Sequence, residues 1–184
     1  MRLQIDKIKE KNIIIFDIEY DQNSLVQLAF LILSKTEPNI FELTKSVNVY
    51  VKQNHSLNPF FIRYTNITNE FLCDNGIDLA GAKALVDEAM LDIDMSKTMV
   101  VSHGLDNDLQ LLYNNKINFK KAKGHYCTYN AAKRLLNREN HLTLQDVAQD
   151  SGYYMFNSHN AYADVWGTLH AFCFLKEIES GTTN

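Results

Sequence analysis

The chain has 184 residues, of which 46% are hydrophobic and 22% are charged, and its net charge is −4. Such a composition predicts one globular domain over residues 1–184, and no apolar run is long enough to span a membrane as a helix. The acidic balance argues against a protein that coats nucleic acid broadly, but it allows an enzyme that contacts a few phosphates through bound metal.

The cysteines and the N-terminus indicate the compartment. Cys73, Cys127 and Cys173 form an odd, widely spaced set without a C-x-x-C motif. We therefore expect reduced thiols rather than a disulfide framework or a zinc site. The N-terminal residues contain no signal-peptide hydrophobic region, so we expect a cytoplasmic protein.

The first half of the chain predicts strands. Residues 13–20 hold three consecutive isoleucines and a phenylalanine, which is typical of a strand buried on both faces. Residues 25–33 and 41–51 are two further apolar runs, with a hairpin expected at Pro38. The result is an antiparallel meander, to which residues 1–11 add a polar lead-in and part of an edge strand.

The second half predicts helices around one strand. A loop is expected at residues 56–59, and a short helix begins in residues 66–70. A short buried strand is expected at residues 98–102 and a frayed tail at residues 180–184. Helical spacing of apolar residues predicts helices over residues 77–93, 105–113, 126–136, 142–150 and 161–178.

Two carboxylates interrupt the first apolar strand. Alternate residues of a strand share a face, so Asp17 and Glu19 are expected to point the same way, a few ångströms apart. Bare carboxylates so placed repel each other, and a hard cation such as Mg²⁺ or Mn²⁺ removes that conflict. The alternative is a strand that ends at Asp17, with Glu19 and Asp21 in a solvated turn.

Two later segments carry further acidic residues. Asp106 and Asp108 follow the strand at residues 98–102, where acidic residues also occur simply because they favour the positive end of a helix dipole. Asp164 lies between alanine and valine in a predicted amphipathic helix, and His159 precedes it. His159 is either a helix cap or, paired with an inward aspartate, a general base.

Taken in order, these segments resemble the DEDDh exonucleases, a family that includes the proofreading epsilon subunit of bacterial replicative polymerases, oligoribonuclease and RNase T. The strand carries the D-x-E motif at Asp17 and Glu19. Residues 103–112, HGLDNDLQLL, resemble H-N-x-x-F-D-x-x-F-L, which places the second aspartate at Asp108. His159 and Asp164 match H-x-A-x-x-D, and the resemblance covers roughly residues 12–176.

The resemblance implies a ribonuclease-H-like α/β fold, in which helices flank a central mixed sheet of about five strands. It implies 3′→5′ exonucleolytic hydrolysis of single-stranded DNA or RNA with two Mg²⁺ or Mn²⁺ ions about 3.5–4 Å apart. Asp17 would bridge the two ions. Glu19 and Asp164 would complete the ligands of the ion that holds the attacking water, and Asp108 would reach the second ion through a water. His159 would be the general base.

The same resemblance implies a substrate-binding set near the terminal nucleotide, namely Ile18, Tyr20, Thr65 and Ile67. A polymerase or another nucleic-acid enzyme is an additional expected partner. One alternative is a catalytically retired module of this fold that binds nucleic acid or a polymerase. Another is a metal-free adaptor, supported only by the basic residues of the segment 116–123, which are also typical of a solvated loop.

Overall fold

The computed structural model of the protein describes residues 1–138 and 141–181, which form a mixed six-stranded sheet flanked by helices. The strands are β1 (Arg2–Gln4), β2 (Asn12–Asp21), β3 (Ser24–Glu37), β4 (Ile40–Tyr50), β5 (Thr98–Ser102) and β6 (Gly124–Cys127). The helices are α1 (Pro59–Thr65), α2 (Asn69–Asn75), α3 (Leu79–Ala89), α4 (Leu105–Asn114), α5 (Thr128–Leu135), α6 (Leu144–Asp150) and α7 (Ala161–Ser180).

The sheet order is β1-β4-β3-β2-β5-β6. The predicted meander is confirmed, because β2, β3 and β4 pair antiparallel, while β5 and β6 add on in parallel. Gln22 and Asn23 join β2 to β3 with φ angles of 50° and 68°, as a tight hairpin of primed type requires. The short N-terminal β1 is the edge strand that pairs with β4.

The central strands have a different partner on each face. Ile13 and Ile15 of β2 pack against α7, in a cluster that includes Phe172. Ile14 and Phe16 point the other way, toward α3 and α4. All of these side chains are fully buried, and each contributes roughly 1.5–3 kcal/mol relative to an exposed position. Because Asp17 and Glu19 continue the alternation of Ile13 and Ile15, they lie on the α7 side of the sheet.

Helix α1 lies next to a stretch for which we expected a loop. Asn58 accepts a hydrogen bond from the backbone N–H of Phe60, Pro59 occupies the first turn, and Asn66 ends the helix with a φ of 61°. These are regular start and stop signals. The helix escapes prediction because its start signals, Asn58 and Pro59, are also typical of a loop.

The sheet also has one strand more than the five expected. Residues 124–127 form β6, so the helix that we predicted from residue 126 begins instead at Thr128. Tyr126 pairs in register with Val101 of β5, and this pairing is a contact that no local pattern reveals. The C-terminal tail is described only as far as Gly181, so residues 182–184 of the expected frayed tail lie outside the described residues. In the part of the chain that the structure describes, no helix is long and apolar enough to cross a membrane.

Candidate active site

Three carboxylates meet where β2 ends against the start of α7. One oxygen atom from each of Asp17, Glu19 and Asp164 lies within 4.8 Å of the other two. The sheet brings two of them together through the strand alternation, and the packing of α7 on the same face supplies the third. Strand β2 continues as far as Asp21, so the alternative in which the strand ends at Asp17 is wrong.

Asp21 is buried rather than solvated. Its carboxylate accepts a hydrogen bond of 3.0 Å from the backbone N–H of Asn58, the residue that caps α1. His55 lies beside the same oxygen at 3.5 Å. Asp21 therefore ties the start of α1 to the strand that carries the carboxylates.

Asp108 is the fourth carboxylate of the site. It lies in the first turn of α4, which follows β5, and the Ser102 hydroxyl at the end of β5 donates a hydrogen bond to it. Asp108 is close enough to Asp17 and Glu19 to raise the pKa of both. Its neighbour Asp106 is exposed at the rim of the same cavity. The helix thus separates the two aspartates, because residues two apart do not share a face.

The four carboxylates hold protons more tightly than ordinary acidic groups. Burial, then repulsion from Asp164, Asp108 and Glu19, raises the pKa of Asp17 well above its usual value. Burial, then Asp164 and Asp108, raises the pKa of Glu19 to about 8. Burial raises the pKa of Asp108 and of Asp164 to about 6. A bound cation reverses this effect because it favours the charged carboxylates.

The donor set fits a hard divalent cation. The Oδ2 atom of Asp164 accepts the backbone N–H of His159 at 3.1 Å, whereas its buried Oδ1 atom has no hydrogen-bond partner among the described residues. Such an oxygen costs free energy unless a donor or a metal satisfies it. Carboxylate oxygens are the ligands that Mg²⁺ and Mn²⁺ prefer, and zinc sites are usually built with nitrogen or sulfur ligands.

His159 precedes α7 but does not cap it. The side chain of Asn160 caps the helix instead, accepting hydrogen bonds from the backbone N–H groups of Tyr162 and Ala163. His159 has a left-handed φ of 66°, and burial lowers the pKa of its imidazole. Its ring lines the carboxylate cavity and lies against the ring of Tyr64, with 3.6 Å between the centroids. The capping alternative for His159 is therefore wrong.

Gln27 of β3 fixes the position of this helix start. Its side chain is fully buried, and its Oε1 atom accepts the backbone N–H of Ala161 at 3.1 Å. Its Nε2 atom donates to Asn48 at 2.9 Å and to the capping Asn160 at 3.4 Å. The sequence analysis missed this residue, since a lone glutamine in an apolar strand carries no local signal for such a role.

The predicted substrate-binding residues occupy different environments. Ile18 lines the carboxylate cavity, which has a volume of about 620 Å³. Tyr20 and Thr65 line an adjoining cavity of about 350 Å³, and Tyr64 lines both. Ile67 instead packs in a hydrophobic cluster and lines neither cavity. The structure therefore brings Ile18, Tyr20 and Thr65 to the cavities and places Ile67 behind them.

The fold is shared with solved exonuclease structures. E. coli exonuclease I in complex with a dT13 oligonucleotide superimposes with a TM-score of 0.69 at 16% identity, over 94% of this chain and 42% of that one. The nuclease domain of 3′hExo, a DEDDh family member bound to rAMP, gives 0.67 at 15% identity, over 94% of each chain. A 3′-exonuclease that recognises the 3′ end of the histone mRNA stem-loop gives 0.64 at 14% identity, over 94% of this chain and 83% of that one.

These likenesses establish the architecture. The chain shares the ribonuclease-H-like fold of these exonucleases, and the fold class expected from the sequence is confirmed. The chain spans about 42% of the length of the E. coli exonuclease I chain. No family profile and no curated protein sequence matches it.

Proposed function

We propose that the protein is a metal-dependent 3′→5′ exonuclease that hydrolyses single-stranded DNA or RNA from its 3′ end. The observation that carries this proposal is the carboxylate cluster of Asp17, Glu19 and Asp164, whose oxygens lie within 4.8 Å of one another and include a buried, unpartnered Oδ1 atom. Asp108 and His159 line the same cavity, so the five residues of the sequence motifs share one site.

The carboxylates would hold two divalent cations, Mg²⁺ or Mn²⁺. Asp17, Glu19 and Asp164 form the tighter group and would bind one ion, and Asp108 would serve a second that Asp17 shares. When bound, such ions supply Lewis acidity at the phosphate and lower the pKa of coordinated water. The protein's part is to hold the carboxylates in place, which β2, α4 and α7 do from three directions.

His159 would accept a proton from the attacking water. Its imidazole lines the carboxylate cavity, and burial lowers its pKa, so the neutral, proton-accepting form is present at neutral pH. A base with a pKa near the working pH is the efficient choice for this step. Asp108 and Asp164 would hold the metal instead, because deprotonated carboxylates are cation ligands.

A single strand is the substrate class that the site favours. Tyr20, which is 47% exposed, lines the adjoining cavity, and nucleobases of any sequence stack on such rings. E. coli exonuclease I has been crystallised with dT13 and with dA16, which supports a single-stranded substrate for this fold. We place this activity in the cytoplasm, consistent with an odd number of cysteines that form no disulfide.

The test uses DNA and RNA oligonucleotides labelled at either end, incubated with Mg²⁺, with Mn²⁺ or with EDTA. We expect 5′-labelled strands to shorten one nucleotide at a time, 3′-labelled strands to release a labelled mononucleotide first, and EDTA to stop both reactions. Asp17→Asn serves as the inactive control from the same purification. Release of the 5′ nucleotide first, or equal rates in EDTA, would contradict the proposal.

A further inference from the structure

The imidazole of His159 is held in an unusual way. Within residues 1–138 and 141–181, no hydrogen bond reaches either ring nitrogen, and only the backbone N–H of His159 is engaged, by Asp164. His103, in the wall of the same cavity, shows the ordinary arrangement. Its Nδ1 atom lies 3.0 Å from the Thr128 hydroxyl, and its Nε2 atom lies 3.3 Å from the Leu142 carbonyl. A hydrogen-bond partner normally fixes the orientation of a functional histidine ring.

The ring of Tyr64 occupies the face of the imidazole instead. The two centroids are 3.6 Å apart with 32° between the planes, which is the shortest separation among the aromatic contacts of the described residues. Tyr64 lies in the last turn of α1 and lines both the carboxylate cavity and its neighbour. Tyr64 therefore lies between the two cavities with its ring against the imidazole of His159.

Building on the proposed function, we infer that Tyr64 is a positioning residue for His159, whose imidazole it holds toward the carboxylate cavity by stacking. The ring and not the hydroxyl carries this role, since the Tyr64 hydroxyl makes no hydrogen bond to any described residue. Tyr64 needs no contact with the scissile phosphate for this purpose. Tyr64 affects the reaction rate only through the orientation of the imidazole of His159.

The anchoring of α1 supports the assignment. The backbone N–H of Asn58 donates to the buried Asp21, two residues beyond Glu19 on β2. In the last turn, the Thr65 hydroxyl donates to the Phe61 carbonyl and accepts the backbone N–H of Ile67. The start of the helix is thus tied to the strand that carries the carboxylates, and local hydrogen bonds close the last turn, which holds Tyr64.

Steady-state kinetics separate positioning from simple substrate binding. A displacement of a catalytic group by about 1 Å can lower the rate about 10²-fold. We therefore expect Tyr64→Ala to lower kcat by roughly 10-fold to 10²-fold. Tyr64→Phe keeps the ring and should restore kcat. Tyr113→Ala is the control, because Tyr113 is a 53% exposed aromatic residue on α4 that lines neither cavity, and its kcat should stay close to that of wild type.

A double variant tests whether Tyr64 acts through His159. In the His159→Ala background, Tyr64→Ala should cause no further loss of kcat, because residues that act as a unit are not additive. Losses that multiply would overturn the inference. So would a Tyr64→Ala variant whose KM rises while kcat stays unchanged, since that result would make Tyr64 a nucleotide contact.

A readout without substrate keeps the inference apart from the proposed function. In protein labelled at histidine Cε1, the NMR signal of His159, identified among six histidines by the His159→Asn variant, carries the ring-current shift of Tyr64. We expect that shift to be lost in Tyr64→Ala and kept in Tyr64→Phe. An unchanged signal in Tyr64→Ala would overturn the stack even in an active enzyme. If the wild-type protein had no exonuclease activity, the proposed function would be refuted. The NMR signal would still test the contact between Tyr64 and His159.

Discussion

The two walls of the cavity are built in different ways. The carboxylate wall is part of the core, because Asp17 and Glu19 belong to the central strand β2 and Asp164 to the long helix α7 that packs on it. The aromatic wall is formed by Tyr64, which projects from the seven-residue helix α1 and is 52% exposed. The sheet register sets the spacing of the carboxylates, whereas stacking at the surface sets the orientation of the imidazole.

The difference shows how the two kinds of group tolerate change. Four carboxylates in a buried cluster oppose one another and remain together only because the surrounding core is stable enough to hold them. As the proposed general base, His159 needs free ring nitrogens to take and release a proton, and contact with the Tyr64 ring restrains the imidazole without occupying them. Substitutions at the carboxylates should therefore remove the reaction, and substitutions at the aromatic wall should only slow it.

Asp17→Asn should have the largest effect. It removes the carboxylate that both proposed ions share, so we expect exonuclease activity and Mn²⁺ binding by calorimetry to be abolished. The same change relieves repulsion from Glu19 and Asp164, so the melting temperature without metal should stay equal or rise. Full activity in Asp17→Asn would refute the metal assignment.

Asp108→Ala should be nearly as damaging, and its neighbour supplies the control. Asp108 accepts a hydrogen bond from the Ser102 hydroxyl inside the cavity, whereas Asp106 is exposed at its rim. We expect Asp108→Ala to abolish turnover and Asp106→Ala to have a mild effect, measured with the same labelled oligonucleotides. The reverse order would mean that the motif is aligned in the wrong register.

His159→Ala should lower turnover by roughly 10²–10⁴-fold, the range that general bases contribute. The melting temperature should stay close to that of wild type because Asn160, not His159, caps α7. His159→Asn is the second variant, since asparagine also adopts the positive φ of this position. Activity within a few-fold of wild type, with an unchanged acid limb of the pH–rate profile between pH 5.5 and 8.5, would exclude His159 as the base.

The pH dependence of stability gives the smallest effect and needs no substrate. The pKa of Glu19 is raised to about 8 in the folded protein, against about 4.3 in an unfolded chain. The folded state therefore binds more protons than the unfolded state across that window, and the contribution of Glu19 to stability falls as pH rises from about 4 to about 8. In EDTA, the melting temperature of Glu19→Gln minus that of wild type should grow from pH 5 to pH 8 and then level off.

The comparison with Glu19→Gln is needed because other groups act in the opposite direction. Burial lowers the pKa of His103, His159 and His170, which makes the folded protein gain stability as pH rises toward about 6.5. Both proteins share these histidines, so their contribution cancels in the difference, which reports on Glu19 and the carboxylates it repels. A difference that is constant with pH would contradict the raised pKa of Glu19.

The sequence by itself determined the elements that carry strong local patterns. The β2–β4 meander, β5, α4 and α7 all lie where alternation or helical spacing places them, because long apolar faces leave few other ways to bury them. The motif spacing also put the five proposed site residues on the right kinds of element. A strand face and a helix start are local features, so the positions of these five residues in the fold were predictable without coordinates.

Tertiary structure alone decided the rest. Strand β6 exists because residues 124–127 pair with β5, and the same residues read locally as the start of a helix. Gln27 forms a hydrogen bond with Ala161, 134 positions later in the sequence, and Tyr64 contacts His159, 95 positions later. Neither contact can be predicted from a local sequence pattern. Local propensity sets which elements form, but long-range packing decides which side chains face each other across the cavity.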